Sequence, residues 1–133
     1  MHTKARNRYS ENAINLVSRE KQFLMLYDRL VVDLDSARSA FEEQRLYDIH
    51  VTLRHAQDIV HLLMTSLRED IWDGATQLKE VYGYALAQLV KANLEKSQAH
   101  FENAESVLRS LHVTWREAAR QLGHLGETAD GVA

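Results

Sequence analysis

Two histidines and an aspartate in the second quarter of the chain are the side chains best placed to do chemistry. His55, Asp58 and His61 follow one another at intervals of three residues, which brings them close together on a helix. Imidazole and carboxylate groups are common zinc and iron ligands. Helical bundles that bind two iron ions, however, use Glu-x-x-His pairs directed into the core, and this sequence contains none. His55 and Asp58 fall away from the apolar side of their helix, so we expect a solvated polar surface with no metal and no cofactor.

Other catalytic motifs are also missing from the sequence. The five glycines are scattered, so there is no glycine-rich loop for phosphate, and no serine stands in a nucleophile elbow. The absence of cysteine excludes thiolate metal sites and fits a reducing compartment. Neighbouring carboxylates such as Glu42 and Glu43 stand near predicted helix ends, where an ordinary polar surface explains them. We therefore predict that the protein is not an enzyme.

The composition narrows the remaining classes of function. The chain has 133 residues, 45% of them hydrophobic, which is enough for one domain with a real core. Its 16 basic and 19 acidic residues give a net charge of −3, so the basic excess of a nucleic-acid-binding protein is lacking. No apolar run approaches the roughly 18 residues of a membrane span, and the N-terminus lacks the apolar segment of a signal peptide. We expect a soluble, cytoplasmic protein.

Four stretches of the chain repeat one apolar spacing of alternately three and four residues. Because a helix turns roughly 100° per residue, each set lies along one side of a helix, and we call it the core line of that helix. The four core lines are Phe23, Tyr27, Leu30, Leu34, Ala37 and Phe41; Ile49, Leu53, Ala56, Val60, Leu63 and Leu67; Ala75, Leu78, Tyr82, Ala85, Leu89 and Ala92; and Phe101, Ala104, Leu108, Leu111, Trp115, Ala118 and Leu122. Proline, which breaks helix interiors, is absent from the chain.

These lines predict an all-α fold, an antiparallel up-down-up-down four-helix bundle, because three short links join four helices. Helix 1 is expected to end near Gln44 and helix 2 to run from about Asp48 to Glu69. Helices 3 and 4 are expected over about residues 75–94 and 98–122.

The two ends of the chain are expected to lie outside the bundle, which covers residues 18–122. Residues 1–17 form a short N-terminal arm, and Ser18 is the predicted N-cap of helix 1. Gly123 is expected to stop helix 4 together with the glycine three residues later, which leaves residues 123–133 as a flexible tail.

Helices 2 and 3 carry more apolar residues than their core lines require. The surplus residues are Ile59 and Leu62 in helix 2, and Gly83, Leu86, Val90 and Leu94 in helix 3. Glycine within a helix costs about 1 kcal/mol relative to alanine, a cost that close approach of another helix would explain. Each helix of a bundle touches two neighbours, so a wide apolar face can simply be core. The alternative is a groove that binds a partner helix, for which Leu62 and Leu94 are the best candidates.

Several segments together resemble the flagellin export chaperone family, FliS. The sequence SREKQFLMLYD over residues 18–28 is similar to the first helix of that family. VYGY over residues 81–84, followed by Leu89 and Ala92-Asn93, is similar to its Leu-Tyr-x-Tyr…Leu…Ala-Asn segment. Further matches are Ser66-Leu67 before an acidic link, Trp115 late in helix 4 and Tyr9 ahead of helix 1.

The resemblance implies a cytoplasmic export chaperone that binds the disordered C-terminal segment of flagellin. Binding would prevent premature polymerisation and keep flagellin competent for flagellar type III export, and the arm would cover part of the groove when flagellin is absent. The resemblance also implies contact with the export gate and flagellar regulators, and a monomer or weak dimer. The groove candidates are Tyr9, Ile14, Ile59, Leu62, Gly83, Leu86, Val90, Asn93 and Leu94. Family-motif residues expected to be structural are Tyr27, Asp28, Tyr82, Tyr84 and Trp115.

The sequence departs from the family pattern at a few positions. Arg19 stands where the family usually has proline, and Gly83 stands where it often has aspartate. These changes bear on partner fit more than on the fold. Two alternatives stay open: a structural or adaptor bundle that self-associates through Leu86, Val90 and Leu94 without a flagellin client, and a metal-binding or catalytic bundle.

Overall fold

Four α-helices make up the fold. The computed structural model describes the backbone of residues 2–68 and 74–131, and the side chains of residues 21–68 and 74–121. In these ranges the helices are α1 (His2–Glu42), α2 (Leu46–Thr65), α3 (Ala75–Glu95) and α4 (Gln98–Gly131). Each helix packs against two others: α1 and α3 both pack against α2 and α4. The predicted all-α, up-down-up-down four-helix bundle is confirmed.

The predicted core lines form the centre of the bundle. Tyr27 and Leu34 of α1, Leu53 of α2, Leu89 of α3 and Leu108 of α4 are all fully buried. Core-line residues near one end of the bundle, namely Phe23, Leu67, Leu111 and Trp115, are partly buried against this core. Removal of these apolar side chains from water, at about 25 cal/mol per Å², drives the association of the four amphipathic helices.

Three predicted helix boundaries were wrong, and one of them is the end of α2, which falls at Thr65 and not near Glu69. Helix α1 begins at His2, so Ser18 lies within the helix and does not cap it. Helix α4 continues to Gly131, past the two glycines that were expected to stop it. The first 73 residues contain neither proline nor glycine, so nothing in the backbone chemistry interrupts α1. A single glycine costs a helix about 1 kcal/mol, which is too little to force an end. The assignment of residues 1–17 as an arm, 18–122 as the bundle and 123–133 as a tail stays a prediction.

Helices α1 and α3 end in left-handed residues that are not glycine. Gln44 has φ 54° and Lys96 has φ 50°. In each case the next backbone N–H bonds to a carbonyl five residues earlier, from Arg45 to Ala40 at 2.9 Å and from Ser97 to Ala92 at 3.0 Å. This Schellman geometry satisfies helix-end carbonyls and turns the chain sharply enough for a short antiparallel link.

A histidine bridges each pair of neighbouring helices. The pairs are His55–Asp33 between α2 and α1, His50–Asn93 between α2 and α3, His100–Gln88 between α4 and α3, and His112–Asp28 between α4 and α1. Four histidines therefore join helices to one another, and one of them is His55, whereas Asp58 pairs with Arg54 of its own helix. Among the described residues, no three histidine or acidic side chains are grouped to hold a metal ion. No helix in the described part of the chain has the length and apolar character needed to cross a membrane.

Candidate binding surface on α2 and α3

Two polar contacts fix which side of α2 faces α3. Asn93 Nδ2 donates to His50 Nδ1 at 3.2 Å, and Gln57 Nε2 donates to the Leu89 carbonyl oxygen at 3.4 Å. Arg54 and His61 continue this line, since they stand four residues after His50 and Gln57 respectively. We call His50, Arg54, Gln57 and His61 the α2 rim.

A line of apolar positions on α3 runs beside the α2 rim. It consists of Gly83, Leu86, Val90 and Leu94, which we call the α3 stripe. Leu86 is partly buried against the core, whereas Val90 is 36% exposed and Leu94 is 80% exposed. The stripe therefore begins at the core and ends as an apolar surface in contact with solvent, and packing of the bundle does not account for its outer members.

Gly83 lies on this surface with open space in front of it. A Cβ atom built at Gly83 meets no heavy atom within 4 Å outside its own helical segment. The described part of the chain therefore leaves room for a larger residue at this position, so crowding does not explain the glycine. The glycine leaves bare backbone on the surface, where a second helix could approach more closely than over any larger residue.

Asn93 is used within the protein. Its side chain is 9% exposed and joins α3 to His50 of α2. Lys96 Nζ also donates to the Asn93 side-chain oxygen, and to the Asn93 backbone carbonyl at 2.7 Å. The ammonium group thus lies at the C-terminal end of α3, where a positive charge stabilises the helix dipole. Asn93 orders one end of the surface by linking two helices and a helix terminus.

Ile59 and Leu62 lie on a different side of α2. His55 bonds to Asp33 of α1, and Ile59 and Leu62 follow His55 by four and seven residues on the same helical face. This face is directed toward α1. Ile59 is buried in the core and Leu62 is 47% exposed. The structure therefore brings together the α3 stripe and Asn93 but separates them from these two residues.

The remaining groove candidates, Tyr9 and Ile14, belong to the N-terminal part of α1. Their backbone is helical, but their side chains lie outside the described residues. Their position relative to the α3 stripe is therefore not specified.

Two tyrosines of the family motif meet at the centre of the bundle. The hydroxyl groups of Tyr27 on α1 and Tyr82 on α3 are hydrogen-bonded to each other, and both side chains are fully buried. Burial raises the pKa of both hydroxyls, a shift that hydrogen bonds from Trp115 only partly oppose. Both tyrosines stay neutral at physiological pH and act as a structural pair. Tyr84, two residues further on, is exposed.

Aromatic rings join α1 to α4. Phe23 stacks on Trp115 with ring centroids 5.4 Å apart and planes 6° from parallel. Tyr27 stacks on His112 at 5.9 Å and Phe41 on Phe101 at 5.4 Å. Offset stacks of this kind add about 0.5–1.5 kcal/mol each beyond the area that they bury.

Charged groups also join α1 to α4, around Glu105. This side chain is buried, accepts hydrogen bonds from Arg38 of α1, and is 3.1 Å from Arg109 Nη2. Arg109 also pairs with Asp35 of α1. Burial by itself would raise the pKa of the Glu105 carboxyl, but the hydrogen bonds from Arg38 and Arg109 hold it below its ordinary value. Glu105 is therefore ionised at neutral pH and pins α4 to α1.

Asp28 of the family motif is part of the same α1–α4 contact. Its Oδ1 lies 2.9 Å from His112 Nε2 and 3.9 Å from Arg116 Nη2.

Sequence reasoning missed the pairing of Glu105 with arginine. A signal was present, because Glu105 stands between Ala104 and Leu108 of a core line, where an unpaired carboxylate would be costly.

An open cleft of about 490 Å³ lies beside the turn between α1 and α2. Its lining includes Asp35, Asp48 and Arg45. The guanidinium of Arg45 is already held by Glu43 at 2.6 Å and by Asp48. Because its one cation is neutralised, the cleft offers less to a ligand than the apolar surface on α3.

The sequence is similar to known flagellar proteins. The family model described as "Flagellar protein FliS" matches residues 1–122. A curated relative from Escherichia coli (strain K12) is 28% identical over 110 residues, which cover 81% of each chain. A relative from Bacillus subtilis (strain 168) is 24% identical over 110 residues, which cover 83% of this chain and 82% of that protein. Both relatives are named flagellar secretion chaperone FliS.

Proposed function

Because this chain belongs to the FliS family of flagellar proteins, we propose that it is a cytoplasmic export chaperone that binds the disordered C-terminal segment of flagellin. Binding prevents premature polymerisation of flagellin and keeps it competent for flagellar type III export. The names of the relatives support this role, since both are flagellar secretion chaperones. The protein acts by binding and not by catalysis.

The observation that carries the proposal is the exposure of the α3 stripe. Leu94 is 80% exposed next to Val90 on a helix whose core line is separately buried. Burial of an exposed leucine side chain by a partner helix stabilises the complex by about 1.5–3 kcal/mol. The residues of the α3 stripe are three or four positions apart, so they form one continuous line along α3 that a partner helix can cover. Gly83 allows the partner backbone to approach at the other end of the stripe.

Flagellin contacts beyond the stripe remain part of the proposal. Leu62 lies exposed on the α1 side of α2, so a segment that contacts both Leu62 and Leu94 has to pass over α2. Ile59, on the same side, is buried and offers little surface to the client. Residues 1–17, with Tyr9 and Ile14, are proposed to cover part of the groove in the absence of flagellin. Deletion of residues 1–9 should then change the affinity for flagellin, and an unchanged affinity would rule out this role.

Coupled folding suits an export chaperone. A disordered segment that becomes helical on binding covers a large surface and gains specificity, while the ordering cost of about 2–5 kcal/mol limits the affinity. Release at the export machinery therefore stays possible.

Isothermal titration calorimetry with the C-terminal segment of flagellin from the same organism tests the proposal. We expect a 1:1 complex with a strongly negative heat capacity change, because apolar surface is buried. The control is a peptide of the same composition in scrambled order. If the segment does not bind while circular dichroism shows an intact bundle, the proposal is wrong. A mass that rises with protein concentration would then favour self-association through Leu86, Val90 and Leu94.

A further inference from the structure

The side of α2 that points away from the core carries exposed apolar and charged residues in a regular order. At roughly 100° per residue, five residues lie within about 40° of the direction opposite to the core line of α2. We call them the α2 outer face: Tyr47, Val51, Arg54, Asp58 and Leu62. Leu62 stands at its border toward α1 and Arg54 at its border toward α3. Tyr47 is 78% exposed, and Val51 and Leu62 are also exposed, so packing of the bundle leaves three large apolar side chains of this face in contact with solvent.

The two charges of the α2 outer face are opposite in sign and one helical turn apart. Arg54 Nε lies 3.9 Å from Asp58 Oδ1, and both side chains are largely exposed. Asp48, the remaining charged residue of α2 when histidine is counted as neutral, is held by Arg45. The face therefore has no net charge. Exposed ion pairs of this length are weak and exchange readily with another carboxylate or guanidinium group.

We propose that a second copy of this chain docks on the α2 outer face, with the two α2 helices antiparallel. A two-fold axis brings the same face of both copies together, so every contact occurs twice. Arg54 of each copy then meets Asp58 of the other, which places two pairs of opposite charges at the centre of the contact. This interface lies outside the α3 stripe and does not depend on the proposed function. Leu62 is the one residue that it shares with the proposed flagellin contacts.

The apolar residues fit the register that the charges set. When Arg54 lies opposite Asp58 of the second copy, Leu62 of one copy falls between Tyr47 and Val51 of the other. At a rise of about 1.5 Å per residue, Leu62 is then displaced along the helix axis by about 1.5 Å from Val51 and by about 4.5 Å from Tyr47. An apolar contact therefore forms on each side of the central charges. Because the order of the charges and the order of the apolar residues agree on one register, the face favours a copy of itself over an unrelated partner.

The contact is expected to be weak. Helix α2 has 20 residues, so it is only about 30 Å long. One helix from each copy covers less surface than the roughly 1,200–2,000 Å² of a stable interface. Self-association should therefore appear as a mass that rises with protein concentration, and not as a permanent dimer.

A charge swap between two variants tests the proposal. Arg54→Asp leaves two acidic residues on the face and Asp58→Arg leaves two basic ones, so each variant repels a copy of itself. In an equimolar mixture each acidic position meets a basic one. Sedimentation velocity of the full chain at low salt, over a range of concentrations, measures the mass. We expect self-association to weaken about tenfold in each single variant and to return in the mixture, and the differences to shrink at high salt.

A matched pair on α4 provides the control. Glu117 and Arg120 are also exposed and one helical turn apart, and Glu117→Arg and Arg120→Glu should both keep the mass of the wild type. Circular dichroism checks that every variant folds. A wild type that stays monomeric at all concentrations overturns the proposal. A wild type that associates no better than the two single variants also overturns it, and would move self-association to another face such as the α3 stripe.

Discussion

The α1–α4 side and the α2–α3 side of this bundle are built differently. Among the described side chains, the three stacked aromatic pairs all join α1 to α4, and the buried Glu105 is bonded by an arginine from each of these helices. Between α2 and α3 the polar contacts are longer, at 3.2 and 3.4 Å, and an apolar line beside them reaches solvent at Leu94. One side is held together by specific pairings, and the other ends in an exposed apolar line, which the proposed function assigns to flagellin.

This difference separates stability from binding. Changes on the α1–α4 side should lower the free energy of unfolding and leave the intrinsic affinity for flagellin intact. Changes on the outer α2–α3 surface should alter affinity with little loss of stability. The following substitutions test this separation, in order of decreasing effect on the free energy of unfolding.

Truncation of an aromatic ring on the closed side should have the largest effect. Phe101 is 1% exposed and stacks on Phe41. We expect Phe101→Ala to lower the free energy of unfolding by about 3–5 kcal/mol, measured by urea denaturation, because it opens a cavity. The matched truncation Leu94→Ala on the open side should cost less than about 0.5 kcal/mol. Comparable losses for both variants would show that the two sides do not differ in this way.

Removal of one hydroxyl from the central tyrosine pair should have an intermediate effect. Tyr27→Phe leaves the buried Tyr82 hydroxyl without this partner, at a cost of about 1–2 kcal/mol. The double variant Tyr27→Phe/Tyr82→Phe should lose less than the sum of the two single variants, because it no longer strands one hydroxyl. Strict additivity in urea denaturation would mean that the two hydroxyls do not interact.

Acid should selectively weaken the α1–α4 contact. The folded pKa of Glu105 is lowered, so its contribution is fully present above the ordinary glutamate pKa of about 4.3 and is lost as the pH falls through the folded value. Since Arg38 and Arg109 are partly exposed, we expect Glu105→Gln to cost about 1 kcal/mol at pH 7. This difference in the free energy of unfolding from the wild type should shrink as the pH falls below about 4.3 and through the lowered folded pKa of Glu105. If the cost of Glu105→Gln does not change with pH, the ionised carboxylate of Glu105 is not what stabilises the α1–α4 contact.

A methyl group at Gly83 should have the smallest effect on stability, and one of opposite sign. Gly83→Ala meets open space in the free protein, so helix propensity should raise the free energy of unfolding by about 0.5–1 kcal/mol. The same variant should bind flagellin several-fold more weakly, because the added Cβ keeps the client backbone at a distance. A more stable variant with unchanged affinity would remove Gly83 from the proposed contact.

Helix periodicity was sufficient to predict the bundle and its core. Tyr27, Leu53, Leu89 and Phe101 lie on predicted core lines and are buried, because burial of an amphipathic face dominates the packing of helices. Helix ends were harder to predict. The predicted N-cap at Ser18 and the predicted helix end at Gly123 were wrong. A cap or a single glycine changes the free energy of a helix by only about 1 kcal/mol, which is less than the helix gains by continuing.

The candidate site was only partly readable from the sequence. The surplus apolar line of α3 could be identified from its spacing. The phase of a single helix does not say which neighbour a side chain faces, so Leu62 and Leu94 were grouped although they lie on different sides of the fold. The pairing of Glu105 with Arg38, 67 residues apart in sequence, depends on how α1 and α4 dock. Tertiary contacts of this kind leave little trace in local spacing.

Two matched charge insertions test the central separation most directly. Leu94 on the α3 stripe is 80% exposed, and Val113 on α4, next to His112 of the closed side, is 66% exposed. Leu94→Glu and Val113→Glu should both fold normally by circular dichroism, because neither buries the new charge. Calorimetry with the flagellin C-terminal segment should show affinity reduced about tenfold or more for Leu94→Glu and nearly unchanged for Val113→Glu. Equal losses for both variants, or a larger loss for Val113→Glu, would contradict the assignment of the client site to α2 and α3.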